Sequence, residues 1–285
     1  MMRFVHLSLA ALLAWHGCIA AVELVRYPVR ETAGDRRYDY PRKLLELALS
    51  KSGGDYRVVD ASVRMNQERQ VLELEAGRTI DVGPIPTSAE RERRLLPVRI
   101  PLNRGLLGWR IGLIRKGEQG HFSHIARQAD LASIRIAQGA EWPDTKILQG
   151  NGIQVKTGST YPGLFEMLAD GRFDYFPRSV MEIWDEQQVH RDKLDIEQRV
   201  ALHYFYDSYF FVSPRNVKLA EHIRKGLEAA IADQSFERLF LEYWGDHVRR
   251  ARLQERVVIE LRNPLLTPET PAERKELWFD PVRGR

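Results

Sequence analysis

Two long extended stretches, residues 98–115 and 201–212, constrain this chain more than any other feature. Around and between them, apolar runs with a period of about two alternate with stretches of period about 3.6, the rhythm of strands and helices in turn. An internal strand–helix unit bracketed by two extended crossings means that the chain leaves one body, builds a second and returns. The expectation is an α/β molecule of two lobes joined by a hinge, each lobe a mostly parallel sheet flanked by helices, with a cleft between them. Lobe 1 takes residues 21–110 and 205–285, and lobe 2 takes 111–204.

The pattern predicts a strand over 22–29, a helix over 40–50 and a strand over 56–59 after the Gly53-Gly54 stop. A helix over 69–76 ends at Gly77 and a short strand over 80–82 follows. In the second half the strands are 134–137, 153–156 and 173–176, with a helix over 161–169 closed by Gly171. The aromatics from Tyr204 to Phe211 read as core or hinge packing. Phe236, Leu239, Phe240, Tyr243 and Trp244 form the apolar stripe of a core-facing helix.

Residues 1–20 have the organisation of a secretory signal: Arg3, an apolar stretch through Ala14, then small residues including Gly17, Cys18 and Ala20. Cleavage after Ala20 exports the chain, and lipid attachment at Cys18 is the alternative. The whole chain has one cysteine, which excludes an internal disulfide framework and a Cys-rich zinc site. Lys+Arg 43 against Asp+Glu 39 leaves a formal +4 spread along the chain, and a nucleic-acid partner would need that charge gathered on one face. No cofactor or metal is expected.

Four elements then carry a family resemblance. Residues 72–82 read helix-Gly-x-x-x-Asp-strand through Gly77 and Asp81; Thr87, Glu90 and Arg91 form a turn similar to Thr-x-Glu-Arg with one residue added; residues 166–174 repeat the helix-Gly-x-x-Asp element; residues 210–214 and the helices to Trp244 form a return strand and closing helices. In order and spacing these resemble the family 3 periplasmic solute-binding proteins of amino-acid transporters, over about residues 22–245. The resemblance implies the two-lobed type II periplasmic-binding-protein fold and reversible capture of a small solute in the cleft. Delivery would be to a membrane permease of an ABC transporter or to a membrane sensor, by a monomer.

The resemblance also places the ligand groups. Arg91 matches the arginine that grips a ligand carboxylate as a planar fork, with Thr87 in the same turn, and the added residue lets Arg93 or Arg94 take its place. Family members that bind amino acids carry an Asp a few residues beyond the second-lobe Asp, where this chain has Arg178. An arginine there repels an ammonium, so the expected solute is anionic or neutral, or amino-acid-like, and compatible with aromatic groups. The alternative is that Arg178 pairs with Glu182 one helical turn on. The turn at Gln138, Gly139 and Trp142 sits where the family offers backbone N–H groups to an anion, and Pro143 suits a first helical position. Tyr27 is a further cleft candidate by topology.

Enzyme readings are weaker. Ser159 lacks the flanking glycines of a nucleophile elbow and reads as a helix N-cap. His121 and His124 have no third ligand nearby. Glu182, Asp185 and Glu186 read as an exposed helix face. A dehydratase-like or hydrolytic enzyme on the same fold, or an interaction protein with a vestigial cleft, stays as the alternative. Residues 246–285 form a C-terminal extension expected to brace lobe 1, with Trp278 and Phe279 as anchors.

Overall fold

The computed structural model describes residues 22–30 and 36–282; the expected signal peptide, Cys18 included, lies outside the described residues. Lobe 1 starts with β1 (Glu23–Val29), α1 (Asp39–Lys51), β2 (Tyr56–Arg64), α2 (Gln67–Ala76), β3 (Val82–Pro86), α3 (Ala89–Arg94) and β4 (Leu96–Val98). Lobe 2 is built from β5 (Trp109–Arg115), β6 (Ile136–Gly139), α4 (Pro143–Gly150), β7 (Val155–Gly158), α5 (Tyr161–Ala169), β8 (Phe176–Ser179), α6 (Ile183–Val189) and β9 (Leu194–His203). The chain returns through β10 (Ser208–Val212), α7 (Val217–Ala232) and α8 (Ser235–Ala251), and ends beyond β11 (Val257–Glu260).

The sheets are mixed, which corrects the expectation of mostly parallel ones. β1–β2 and β6–β7 are parallel. The crossing strands are not: β10 lies antiparallel between β3 and β4, and β5 runs antiparallel to β8 and β9. A chain that returns through a hinge must run against the strands by which it left, so the return strands break the parallel order.

Both helix-Gly-Asp elements do the same structural work. Gly77 and Gly171 take left-handed φ of 65° and 71°, which a residue without a Cβ adopts freely, and they close α2 and α5. Beyond the glycine, Asp81 holds Arg26 of β1 through its backbone N–H at 2.7 Å and its guanidinium at 2.7 and 2.9 Å. Asp174 holds Arg135 in the same way, through N–H at 3.1 Å and guanidinium at 2.8 and 2.6 Å. These bonds, with Arg115, hold Asp174 down to about 2 against the opposing effect of its burial. Because each Asp works in a turn, the strands after them start later than expected: β3 instead of 80–82 and β8 instead of 173–176. β6 and β7 are likewise displaced towards the C-terminus from 134–137 and 153–156. The N-cap of α5 is Thr160, whose hydroxyl accepts from Gly163 N–H at 3.2 Å, rather than Ser159.

Neither extended crossing is continuous. A one-turn helix, Leu106–Gly108, precedes β5, and residues 204–207 separate β9 from β10. Asp207 is the reason. Buried to 1% exposure, its carboxylate accepts from Asn103 N–H and Nδ2, Gly105 N–H and Ser208 N–H, so one side chain staples the two crossings together.

Packing in lobe 1 depends on Gly226. A Cβ there would lie 1.7 Å from the Ala48 carbonyl oxygen, so α7 rests directly on the backbone of α1. Gly226→Ala is expected to push the helices apart and to cost about 2–3 kcal/mol, read as a lower midpoint in urea unfolding with an unchanged slope.

The extension, expected to brace lobe 1, makes contacts with elements on both sides of the crossings. β11 adds a parallel edge strand to β9, in the sheet of lobe 2. Arg256, buried, donates to the carbonyls of Ala251, Glu197 and Val200. The chain then recrosses: Ala89 N–H donates to the Leu265 carbonyl at 3.2 Å, and Arg274 forks Glu228 at 2.7 and 3.0 Å. Trp278 and Phe279 anchor the end, Trp278 packing on Gly105 and Phe205, Phe279 on Phe240.

Candidate functional site

The cleft face of lobe 2 is an ion network. Arg178, on β8, is 2% exposed; it forks Glu186 through Nε at 2.8 Å and Nη2 at 2.7 Å and reaches Glu182 at 2.9 Å. Burial works against its charge, but the two carboxylates outweigh it and raise its pKa further. Arg110, on β5, pairs with Asp144 at 2.6 Å and stands 3.6 Å from Glu182, while its Nε donates to Tyr204 Oη at 3.0 Å. Tyr204 in turn donates to Asp144. Burial first, then Glu186, push the Tyr161 phenol up, and Tyr161 Oη donates to Glu186 at 2.9 Å.

This corrects the reading of 182–186 as an exposed acidic face. Glu186 is buried and Glu182 nearly so, because the start of α6, just after β8, folds both carboxylates back onto Arg178. The pairing weighed for Arg178 is the one formed, with Glu186 as the stronger partner. Asp185 faces outward, 3.8 Å from Arg36.

Trp142 lies at the N-terminus of α4 and packs on Gly139, where a Cβ would come within 2.5 Å of the indole. Its ring is stacked over Phe176 at 6.3 Å and lies 4.8 Å from the Arg178 guanidinium. The turn commits its own N–H groups: Ala140 donates to the Gly158 carbonyl and Trp142 to the Gly139 carbonyl. Gln138 Nε2 donates to the Pro177 carbonyl at 3.0 Å, and its buried Oε1 has no partner. Pro143 is at the first position of α4, as its φ suits.

On lobe 1, Ser88 caps α3 by accepting from Arg91 N–H. Arg91 is 5% exposed; its Nη1 donates to the Pro86 carbonyl at 2.8 Å and its guanidinium approaches Gln67 Oε1 at 3.4 Å. Among the described residues no carboxylate stands within ion-pair distance of it. Arg94, by contrast, pairs with Glu75 and Glu68, and Thr87 donates to Glu92 at 2.6 Å. Tyr27 is buried with its hydroxyl on the Tyr38 carbonyl at 3.2 Å.

The two faces meet around a polar chamber of about 30 Å³, whose walls include Gln67 and Pro86 from lobe 1 and Arg110, Trp142, Asp144 and Arg178 from lobe 2. Of the expected residues, Arg178 and Trp142 line it, Arg91 lies behind Gln67 and Pro86, and Tyr27, Thr87, Gln138 and Gly139 stand outside its wall. A second chamber of about 80 Å³ shares Gln67, Pro86 and Leu107, and a third of about 250 Å³ opens at the mouth. The lobes also touch directly, through Asn66 Nδ2 to Glu141 at 3.3 Å and the Arg37 guanidinium 4.4 Å over the Tyr161 ring. Arg37, Arg110 and Asp144 escaped the sequence reading, and Glu186 entered it only as part of an exposed helix face; the local signal was the Arg178–Glu182 pair. Among the described residues no group of His, Cys, Asp and Glu can hold a metal, and no helix is long and apolar enough to cross a membrane.

No family profile matches the sequence, and no curated protein matches it. Solved structures do match. A periplasmic binding protein of Salmonella typhimurium with high arginine specificity is 15% identical, covering 78% of this chain and 99% of its own, with a TM-score of 0.57. A probable amino-acid ABC transporter extracellular-binding protein of Bacillus subtilis is 20% identical, covering 79% and 99%, with a TM-score of 0.58. An ancestral arginine-binding protein bound to arginine is 17% identical, covering 78% and 98%, with a TM-score of 0.57. With two lobes, two stapled crossings and these likenesses, the chain has the fold of the two-lobed periplasmic solute-binding proteins.

Proposed function

We propose that this is an exported, periplasmic solute receptor that captures a small anionic or amino-acid-like solute between its lobes and delivers it to a membrane permease or sensor. The observation that carries the reading is a buried arginine beside the cleft with no carboxylate partner among the described residues. Arg37, Arg110 and Arg178 line the polar chamber against Asp144 and Glu182, and Arg91, buried without a carboxylate partner among the described residues, stands directly behind its lobe 1 wall. A buried guanidinium without a counter-ion is costly, and a carboxylate reaching it across Pro86 and Gln67 would satisfy it from the cleft side. Arg178 and Trp142 form the opposing wall; Tyr27, Thr87, Gln138 and Gly139 shape the elements that hold those walls. Closure then follows from contacts that one solute makes to both lobes, since only differential affinity shifts an open–closed equilibrium. The neighbours named as amino-acid binders support a receptor over an enzyme on this fold. A monomer suffices, because both walls of the cleft come from one chain.

The test is a thermal-shift screen of amino acids, organic acids and aromatic acids. A cognate solute at about 100 times its Kd adds about 2.7 kcal/mol of stability, and Arg91→Ala is expected to abolish that gain. A gain of the same size in Arg91→Ala removes the assignment of the anion to Arg91. Failure of every solute class to stabilise the wild type removes the receptor reading itself.

A further inference from the structure

We propose that the chamber at the mouth of the cleft seats the body of the solute, so that this receptor selects an aromatic carboxylate over a short acid or a simple amino acid. The inference rests on the reading of the cleft as an anion-capturing site. Size is the first argument. A cavity of about 30 Å³ holds about two waters, so the polar chamber takes a carboxylate head and little more. The mouth chamber, about 250 Å³, exceeds the ~150 Å³ that accepts a benzene ring in an apolar protein cavity, and it leaves room for a fused pair of rings.

Continuity is the second argument. Arg37 and Glu182 belong to the walls of both chambers, so a solute whose head sits in the polar chamber, on the Arg91 side, points its body at the mouth. The lining is the third. Tyr161, Phe165, Met181, Val189 and Trp244 supply apolar walls from both lobes. The existing rings already pair edge to face, Tyr161 with Phe165 at 5.0 Å, and His190 lies flat on Phe165 at 4.4 Å. Offset and edge-on pairing of this kind extends readily to a further ring. Burial pushes the His190 imidazole down and keeps it neutral near neutral pH. The rim carboxylates do not oppose an anionic solute: Glu186 and Glu182 are held by Arg178, and Asp185 faces Arg36.

Propionate, phenylpropionate and indolepropionate share one head and differ only in body, so their affinities for the full chain, measured by calorimetry, test the point. The wild type is expected to bind the two aromatic acids about tenfold or more tightly than propionate. Val189 is 69% exposed and borders the chamber, so Val189→Trp adds bulk at its wall without disturbing the core; the aromatic preference is expected to fall about tenfold in this variant. Equal affinity for all three acids overturns the proposal while leaving an anion receptor in place. A preference that survives Val189→Trp also overturns it, since the body then lies elsewhere. Binding of amino acids with no response to any of the three acids overturns it too, and no binding of any solute overturns both this inference and the receptor reading.

Discussion

Arg178→Ala is expected to destabilise the folded protein by about 3–5 kcal/mol, the cost of leaving a buried carboxylate without its partner. In the wild type Glu186 receives a two-point fork from Arg178 and one bond from Tyr161. With the arginine gone, Glu186 keeps only a phenol, in a site where burial already suppresses ionisation of that phenol. Glu182 loses its 2.9 Å partner and retains only Arg110 at 3.6 Å. The sequence reading of Arg178 as a ligand-facing cation, set beside its pairing with Glu182, predicts instead an intact fold with solute binding lost. The two expectations separate in a urea titration without solute, where a midpoint unchanged from wild type would show that Arg178 is not needed to hold the buried carboxylates. The double variant Arg178→Met with Glu186→Met removes both charges and keeps the volume, and it is expected to recover most of the loss. If the double variant is as unstable as the single one, stacking of the Arg178 guanidinium over Trp142 and Phe176, rather than its pairing with Glu186, governs the site.

What could be read from the sequence divides along the distance over which each signal acts. The helices were legible because their signals are local: Gly77 and Gly171 as stops, Pro143 at a helix start, and the stripe from Phe236 to Trp244. The two crossings were legible as extended chain, but their interruption was not. The break before β10 exists to let Asp207 meet Asn103, over a hundred positions away in sequence, and no local period encodes such a meeting. The same holds for the cleft. Arg178 and Glu182 were legible as a pair one helical turn apart, whereas Arg110 meets Asp144 only because β5 and α4 converge on the hinge. The same holds for the extension: nothing local in the apolar run of β11 says that it pairs with β9.

The hinge staple is expected to give the protein an unusual acid dependence. Burial lifts Asp207 from its ordinary 3.8 to about 6, and four hydrogen-bond donors only partly oppose that lift. A carboxyl whose pKa is higher in the folded state than in the unfolded chain binds more protons when folded, so its contribution to stability is fully present below about pH 4 and is lost as pH rises to about 6. The difference of about two units corresponds to on the order of 3 kcal/mol. Asp174 acts in the opposite direction: held at about 2 by Arg135 and Arg115, it loses its contribution as pH falls. The comparison that isolates Asp207 is therefore wild type against Asp207→Asn, unfolded in urea at successive pH values. The amide also turns a donor towards Gly105 or Asn103, whose N–H groups need an acceptor, so the variant is expected to be less stable throughout. Its deficit relative to wild type should shrink by about 3 kcal/mol between pH 4 and pH 7. A deficit that stays constant over that range would mean that the donors from both crossings hold Asp207 ionised, and the hinge would then be a fixed anionic staple with no proton-dependent part.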